Sequence, residues 1–337
     1  MPTKLSANTI KLENTPSIVS YAGVVGKKEG EGPLGQYFDY VYEDTTLSEK
    51  TWEKSESKLQ QNCLNIALDK KSLASADIDF LFAGDLLNQC IGSCFGLKDF
   101  NIPFLGLYGA CSTMAESLCL ASLFVDSKIA NRAAALTSSH FCSAERQFRF
   151  PLEYGGQRTP TAQWTVTGSG SAIVGKCDQP PYVKGVTIGK IIDYDVKDMN
   201  NMGAAMAPAA AYTIQTYLTD TQTTPSDYDL ILTGDLGIVG SILLCELLKK
   251  DSIDISNVHN DCGKLIYDIE KQDVHAGGSG CGCGASVLCG YILEKIKTAA
   301  FKNVLFVATG ALMSPTSSQQ GESIPSIAHL VHISNEK

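Results

Sequence analysis

Histidine, tryptophan, clustered cations and long apolar runs are what this 337-residue sequence lacks or has little of. It holds five histidines and two tryptophans, and charged residues make up only 19% of it. Lys and Arg are scattered rather than massed, and the net charge is −9. An extended phosphate backbone needs clustered cations, so nucleic acid is not an expected partner. No run of about 18 apolar residues appears. The best candidate, 230–248, carries Asp235 and Glu246 and reads as strand, loop and helix. The opening MPTKL has no apolar stretch behind it, so no signal peptide is expected. Twelve cysteines without an export signal point to a reducing compartment and free thiols.

What is present is core. Hydrophobic residues reach 44%, and the length suits two ordinary domains or one large duplicated unit. The pattern predicts helices over 59–70, 114–125, 238–249 and 285–297. It predicts strands over 79–83, 133–137, 230–233 and 304–308. Such alternation implies an α/β fold. The chain also matches itself. "FLFAGDLLNQ" from Phe80 lies over "LILTGDLGIV" from Leu230, 150 positions on. "LCLASLFVDSKIANRAAALTSS" from Leu118 lies over "LCGYILEKIKTAAFKNVLFVATGA" from Leu288, 170 positions on, with a small slip before the strand. Two matches in the same order indicate two α/β halves, 1–178 and 179–337, meeting across a pseudo-twofold axis. Ligand sites in such folds form at the carboxyl ends of strands. One cleft is then expected to collect Cys111 from the first half, and Asp235 and Cys281 from the second.

In "GLYGACSTMAES" (106–117), Thr113 and Glu116 have capping-box spacing, with Thr113 as N-cap. Cys111 would stand just ahead of the first helical turn, where the dipole favours thiolate. Alternatively it is a small apolar residue filling the corner between strand and helix.

A strand followed by "GACS" opening a buried helix, in a duplicated α/β chain, resembles the thiolase superfamily. The combination of "YGACSTMAESL", "RFPLEYGGQRTPTAQWTVTGSGSA", "LTGDLG" and "GGSGCGCGA" is similar to the stage V sporulation protein AD family. That resemblance implies a thiolase-like fold of five αβαβα layers, and it puts Cys111 at the position of the acylated nucleophile. It further implies a sporulation protein that binds dipicolinate (pyridine-2,6-dicarboxylate), with or without Ca²⁺. Its expected partners are membrane-embedded proteins of the same operon, and its expected place is the cytoplasmic face of the forespore, peripheral to the inner spore membrane. A homodimer is the superfamily's default.

The superfamily's condensing enzymes also need a histidine and a second His or Asn to hold the developing oxyanion. Asp235 stands at the first of these slots and Cys281 at the second. A carboxylate repels the charge it would have to stabilise, a thiol is a weak donor, and one lost oxyanion donor costs about 10²–10³ in rate. Condensation is therefore not expected, and a retained binding pocket is. The alternative is an active acyl-CoA or acyl-carrier-protein transferase using Cys111, with His275 as the one histidine placed to help. A third reading is a structural subunit that only gathers membrane partners. For two carboxylates, Arg146, Arg149 and Arg158 are candidate forks, unless they pair with Glu145 and Glu153 on a solvated loop. His140 is a candidate at the border of the cleft, and Asp85 and Asp235 are candidate helix caps. "GCGCGA" lacks the setting of a dinucleotide fingerprint, and Cys281, Cys283 and Cys289 lack a second ligand pair, so neither cofactor nor zinc is expected.

Overall fold

The computed structural model describes residues 1–148 and 158–337. The first half forms β1 (Ser17–Gly26), α1 (Trp52–Asp69), β2 (Phe80–Gly84), α2 (Ile91–Leu97), β3 (Phe104–Gly106), α3 (Thr113–Asp126), β4 (Arg132–Ser139), α4 (Phe141–Phe148) and β5 (Gly168–Gly175). The second forms β6 (Tyr182–Thr187), α5 (Met202–Thr221), β7 (Leu230–Thr233), α6 (Gly237–Lys250), β8 (His259–Asp261), α7 (Cys281–Val287), α8 (Leu293–Lys297), β9 (Asn303–Ala311) and β10 (Ser326–Ser334).

The duplication is visible in the strand order. The first sheet runs β1-β5-β4-β2-β3 and the second β6-β10-β9-β7-β8, and the two meet where Tyr182 of β6 pairs with Ser17 of β1. In both, the first two pairings are antiparallel and the last two parallel. Small anchors repeat as well. Asp79 accepts the backbone N–H groups of Asn131 and Arg132, and Asp229 accepts those of Lys302 and Asn303. Each sheet's parallel strands are thus clamped at their start by an equivalent carboxylate.

The slip between the matched segments has a physical origin. The helix opened by α7 passes through a π-helical turn, Leu288–Ile292, before continuing as α8. Such a turn accommodates one extra residue. Beyond it the halves correspond at 171 positions rather than 170: Lys128 and Ala299, both in the left-handed region at φ 64° and 60°, end the two helices.

Helices α3 and α7 lie between the two sheets, while α1 and α2 cover one outer face and α5 and α6 the other. This is the expected five-layered αβαβα arrangement. The pattern of α3, "TMAESLCLASLFVD", explains its place. Met114, Ala115, Leu118, Cys119, Ala121 and Val125 are buried on all sides of it. A helix apolar all round has to be enclosed. By contrast α1 buries one stripe, including Leu59, Cys63, Leu64 and Ala67, and begins earlier than its apolar residues suggested, where Thr51 accepts the N–H of Lys54. The parallel strands β2, β4, β7 and β9 deliver their carboxyl ends to one region of the molecule, and the site lies there.

Candidate functional site

Cys111 occupies a single 3₁₀ turn, Ala110–Ser112, between β3 and α3. The expected capping box is not formed. Thr113 is already the first helical residue. Its hydroxyl donates to the Ala110 carbonyl at 2.7 Å and accepts from the Gly109 N–H, while Ser112 donates to the Gly109 carbonyl at 2.7 Å. Both hydroxyls are spent inside the turn, which moves the helix start one place forward. Glu116 is left with a buried Oε2 that has no partner among the described residues, and burial pushes its carboxyl up.

The expectation of a thiolate is also corrected. Cys111 is 7% exposed, and its thiol is held well above the ordinary range, first by burial and then by Asp235 and Cys281. The helix dipole is outweighed by desolvation and a neighbouring carboxylate. The Asp235 carboxyl stands beside this thiol. Asp235 is wholly buried just after β7 and gathers donors: Thr309 on β9 at 2.9 Å, the Gly280 N–H at 2.9 Å, and Ser279 at 3.3 Å. Burial pushes its carboxyl up to about 7 against these bonds. The cap reading thus holds in different ways for the two aspartates. Asp85 accepts Ser93 and Leu87 N–H groups at the start of α2, whereas Asp235 ties down the residue preceding α7. The start of α6 is held instead by Asp261, through the N–H groups of Leu236 and Gly237.

Cys281, at the first turn of α7, donates its thiol to the Ser138 carbonyl at 2.9 Å and is fully buried. Cys111, Cys281 and Asp235 therefore meet, two from the second half and one from the first. Behind Cys281 lies Glu56, which sequence reasoning missed. It accepts Ser143 at 2.6 Å and Ser138 at 3.0 Å, and its carboxyl is pushed well up by burial and then by Asp85.

Other expected residues lie elsewhere. His140 binds the Thr45 carbonyl through Nε2 at 2.8 Å and faces a separate depression beside Lys28 and Trp164. His275 is near the surface, 3.5 Å from Asp273. Neither lines the Cys111 pocket. Arg146 is paired with Glu53 and lies 5.1 Å over the Trp52 ring. Arg149 lies outside the described residues. Arg158 comes closest. It donates to the Gln163 carbonyl at 2.8 Å, stacks on Trp164, and reaches Glu145 at 3.4 Å. Glu145 lines the pocket with Thr165, Ser279, Phe148, Met202 and Met313. The spacing of Ala144 and Phe148 on one face of α4 was the available signal for this wall.

The opening beside Cys111 measures about 40 Å³ and has no Lys, Arg or His among its described lining residues. A water's share of the liquid is about 30 Å³, so little more than water fits as the walls stand. Chemically, an acyl acceptor needs a thiolate and oxyanion donors. Here a protonated thiol faces a carboxyl group. At pH 7.5, iodoacetamide is expected to label the exposed Cys177 roughly 100-fold faster than Cys111. Peptide mass spectrometry over time reads this, and equal rates would show that the thiolate is not suppressed.

Against known proteins, the profile of the stage V sporulation protein AD family matches residues 6–334. The stage V sporulation protein AD of Bacillus subtilis (strain 168) is 46% identical over 327 residues, 97% of this chain and 96% of its own. Among solved structures, the 3-oxoacyl-[acyl-carrier-protein] synthase III of Aquifex aeolicus VF5 superposes with a TM-score of 0.57 at 13% identity, covering 95% of this chain and 99% of that one. The peroxisomal 3-ketoacyl-CoA thiolase of Saccharomyces cerevisiae, described as five-layered and built from two core domains of identical topology, gives 0.56 at 13%, covering 95% and 98%. At such identity the structural likeness concerns the fold alone.

Proposed function

From the premise that this chain belongs to the stage V sporulation protein AD family, we propose that its cleft is a receptacle and not a reaction chamber. It binds dipicolinate, free or as the calcium chelate, and supports its uptake into the developing spore together with membrane-embedded proteins of the same operon. The observation that carries the non-catalytic part is the buried Cys111 thiol, kept protonated by burial and by the buried Asp235 carboxyl beside it. The thiol is not activated, and among the described lining residues no Lys, Arg or His side chain is available to steady an oxyanion. An acyl transferase built on Cys111 and His275 finds no support, since His275 lies away from the pocket.

For the ligand, the Thr165 and Ser279 hydroxyls and the Arg158 guanidinium behind Glu145 supply polar contacts. Room for a pyridine ring comes from Met202, Met313 and Phe148, whose side chains close the present opening. Among the described residues no helix is long and apolar enough to cross a membrane, which fits a peripheral place at the inner spore membrane, on the cytoplasmic side of the forespore. The homodimer reading is supported by β3, an edge strand among the described residues whose Phe104 and Leu105 are exposed.

Surface plasmon resonance with dipicolinate tests the site. Binding is expected to weaken at least about tenfold in Met202→Trp, which fills the pocket, and in Arg158→Ala, which removes the cation that reaches its Glu145 wall. Wild-type affinity in both folded variants would remove the ligand from this cleft.

A further inference from the structure

At the opposite pole of the first sheet lies a groove of about 560 Å³ that the reading above does not use. β2 and β4 end beside the Cys111 pocket, and the groove sits where β4 begins, roughly 23 Å away at the rise of a strand. We propose that this groove binds an organic molecule carrying two or more phosphate-type charges.

The argument starts from charge. In a chain with a net charge of −9, five cations line this one groove: Lys70, Lys71, Arg132, Lys176 and Lys297. The single acidic residue lining it, Glu294, is engaged by Tyr21 at 2.6 Å and Lys297 at 3.4 Å. Lys70 is held by Asp39 at 2.6 Å. Lys70, Lys71 and Lys297 also stand at helix carboxyl ends, where cations suit the dipole. Helix ends do not explain Arg132 and Lys176.

Those two are neighbours by register. Arg132 pairs with Gly175 across β4 and β5, and Lys176 follows directly. The Arg132 stem packs so closely over Gly175 that a Cβ there would lie 3.2 Å from its Cγ. Neither side chain has a hydrogen bond or ion pair among the described residues, and the same holds for Lys71. Two unpaired like charges lining one groove repel each other, and a multiply charged anion lying between them removes that cost. The groove also has apolar lining from Ile18, Leu73 and Pro180. An organic body with charges at one end fits such a mixed lining, and the volume falls in the range of small-molecule sites. A soluble phosphate ester and an anionic lipid headgroup share this chemistry.

The test uses the full chain, with inorganic pyrophosphate in calorimetry and vesicles of cardiolipin, whose headgroup carries two phosphates, in phosphatidylcholine in co-sedimentation. Pyrophosphate is expected to bind, to weaken at least about tenfold in Arg132→Ala/Lys176→Ala, and to weaken again as salt rises from about 0.05 to about 0.3 M. Lys249→Ala/Lys250→Ala, at the end of α6, leaves it unchanged. Vesicle binding that the same double variant loses and pyrophosphate displaces assigns the source to a headgroup; pyrophosphate binding without vesicle binding assigns it to a free ester. Melting temperature checks that the double variant is folded, and it keeps wild-type dipicolinate binding, which separates this site from the Cys111 cleft. Failure of both probes to bind, or equal binding in the double variant, would overturn the proposal. So would loss of dipicolinate binding in the double variant, by moving the dicarboxylate here.

Discussion

Gly310→Ala is expected to lower the melting temperature by about 5–10 °C and to abolish dipicolinate binding, while Gly284→Ala leaves both intact or raises stability slightly. The two glycines are only a few residues from the same site, and the opposite outcomes follow from what a methyl group would meet. On β9, a Cβ at Gly310 would stand 2.2 Å from the Gly109 carbonyl oxygen and 3.1 Å from the Ser112 nitrogen. Both are backbone atoms of the turn that carries Cys111, so no rotamer change relieves the clash. Either the turn or the strand moves, and overpacking of this kind costs about 1–3 kcal/mol or more. At Gly284 in α7 the nearest atoms are the Phe306 ring at 3.4 Å and the Gly234 Cα at 3.5 Å, ordinary contact distances. There the alanine gains about 0.4–1 kcal/mol by restricting the unfolded chain. Thermal melts of the three proteins, followed by dipicolinate binding on those that fold, check the pair. Equal melting temperatures would mean that the turn yields without cost and that its position is not fixed by β9.

What the sequence made legible was the part governed by repetition. The matches at 150 and 170 positions located both sheets, the two central helices and the meeting of Cys111 with Asp235 and Cys281. That meeting follows from topology alone, because equivalent loops of a duplicated fold face one another. Side-chain direction was not legible. Arg146 and His140 lie within a few residues of the pocket in sequence, yet Glu53 claims one and the Thr45 carbonyl holds the other. Both partners are distant in the chain, so no local pattern announces them. The capping box failed for a related reason: Thr113 and Glu116 have the required spacing, but a 3₁₀ turn ahead of α3 changed which residue starts the helix. Glu56 was missed because it acts from outside the motif loops, and Gln163, although inside the quoted 149–172 stretch, because no local pattern shows what its side chain reaches. Glu56 reaches Ser138 from α1, and the Gln163 amide bridges the Asp235 and Gly278 carbonyls at 2.7 Å each.

Asp235→Asn is expected to gain stability relative to the wild type as pH rises, by about 2 kcal/mol between pH 5 and pH 8. In the folded chain the Asp235 carboxyl titrates at about 7, against 3.8 as its ordinary value. Between those values the folded state keeps a proton that the unfolded state has released. Wild-type stability from this group is therefore full below about 3.8, is lost as pH rises, and levels off above about 7. Asparagine has no proton to lose, so the difference between the proteins grows across that window. The wild-type curve alone would not show this. His259, His329 and His332 are each pushed down to about 4 by burial, and they add stability as pH rises from about 4 to 6.5. Subtracting the two melting curves cancels them. Asp261, raised to about 6 by burial and coupled to Asp235, broadens the step without reversing it. The same substitution replaces the carboxylate beside Cys111 with a neutral amide. The thiol then loses the charge that held its proton, and its labelling by iodoacetamide at pH 8 is expected to rise at least about tenfold. A flat difference curve together with unchanged labelling would show that Asp235 carries no proton in the folded chain at neutral pH, and that desolvation alone silences Cys111.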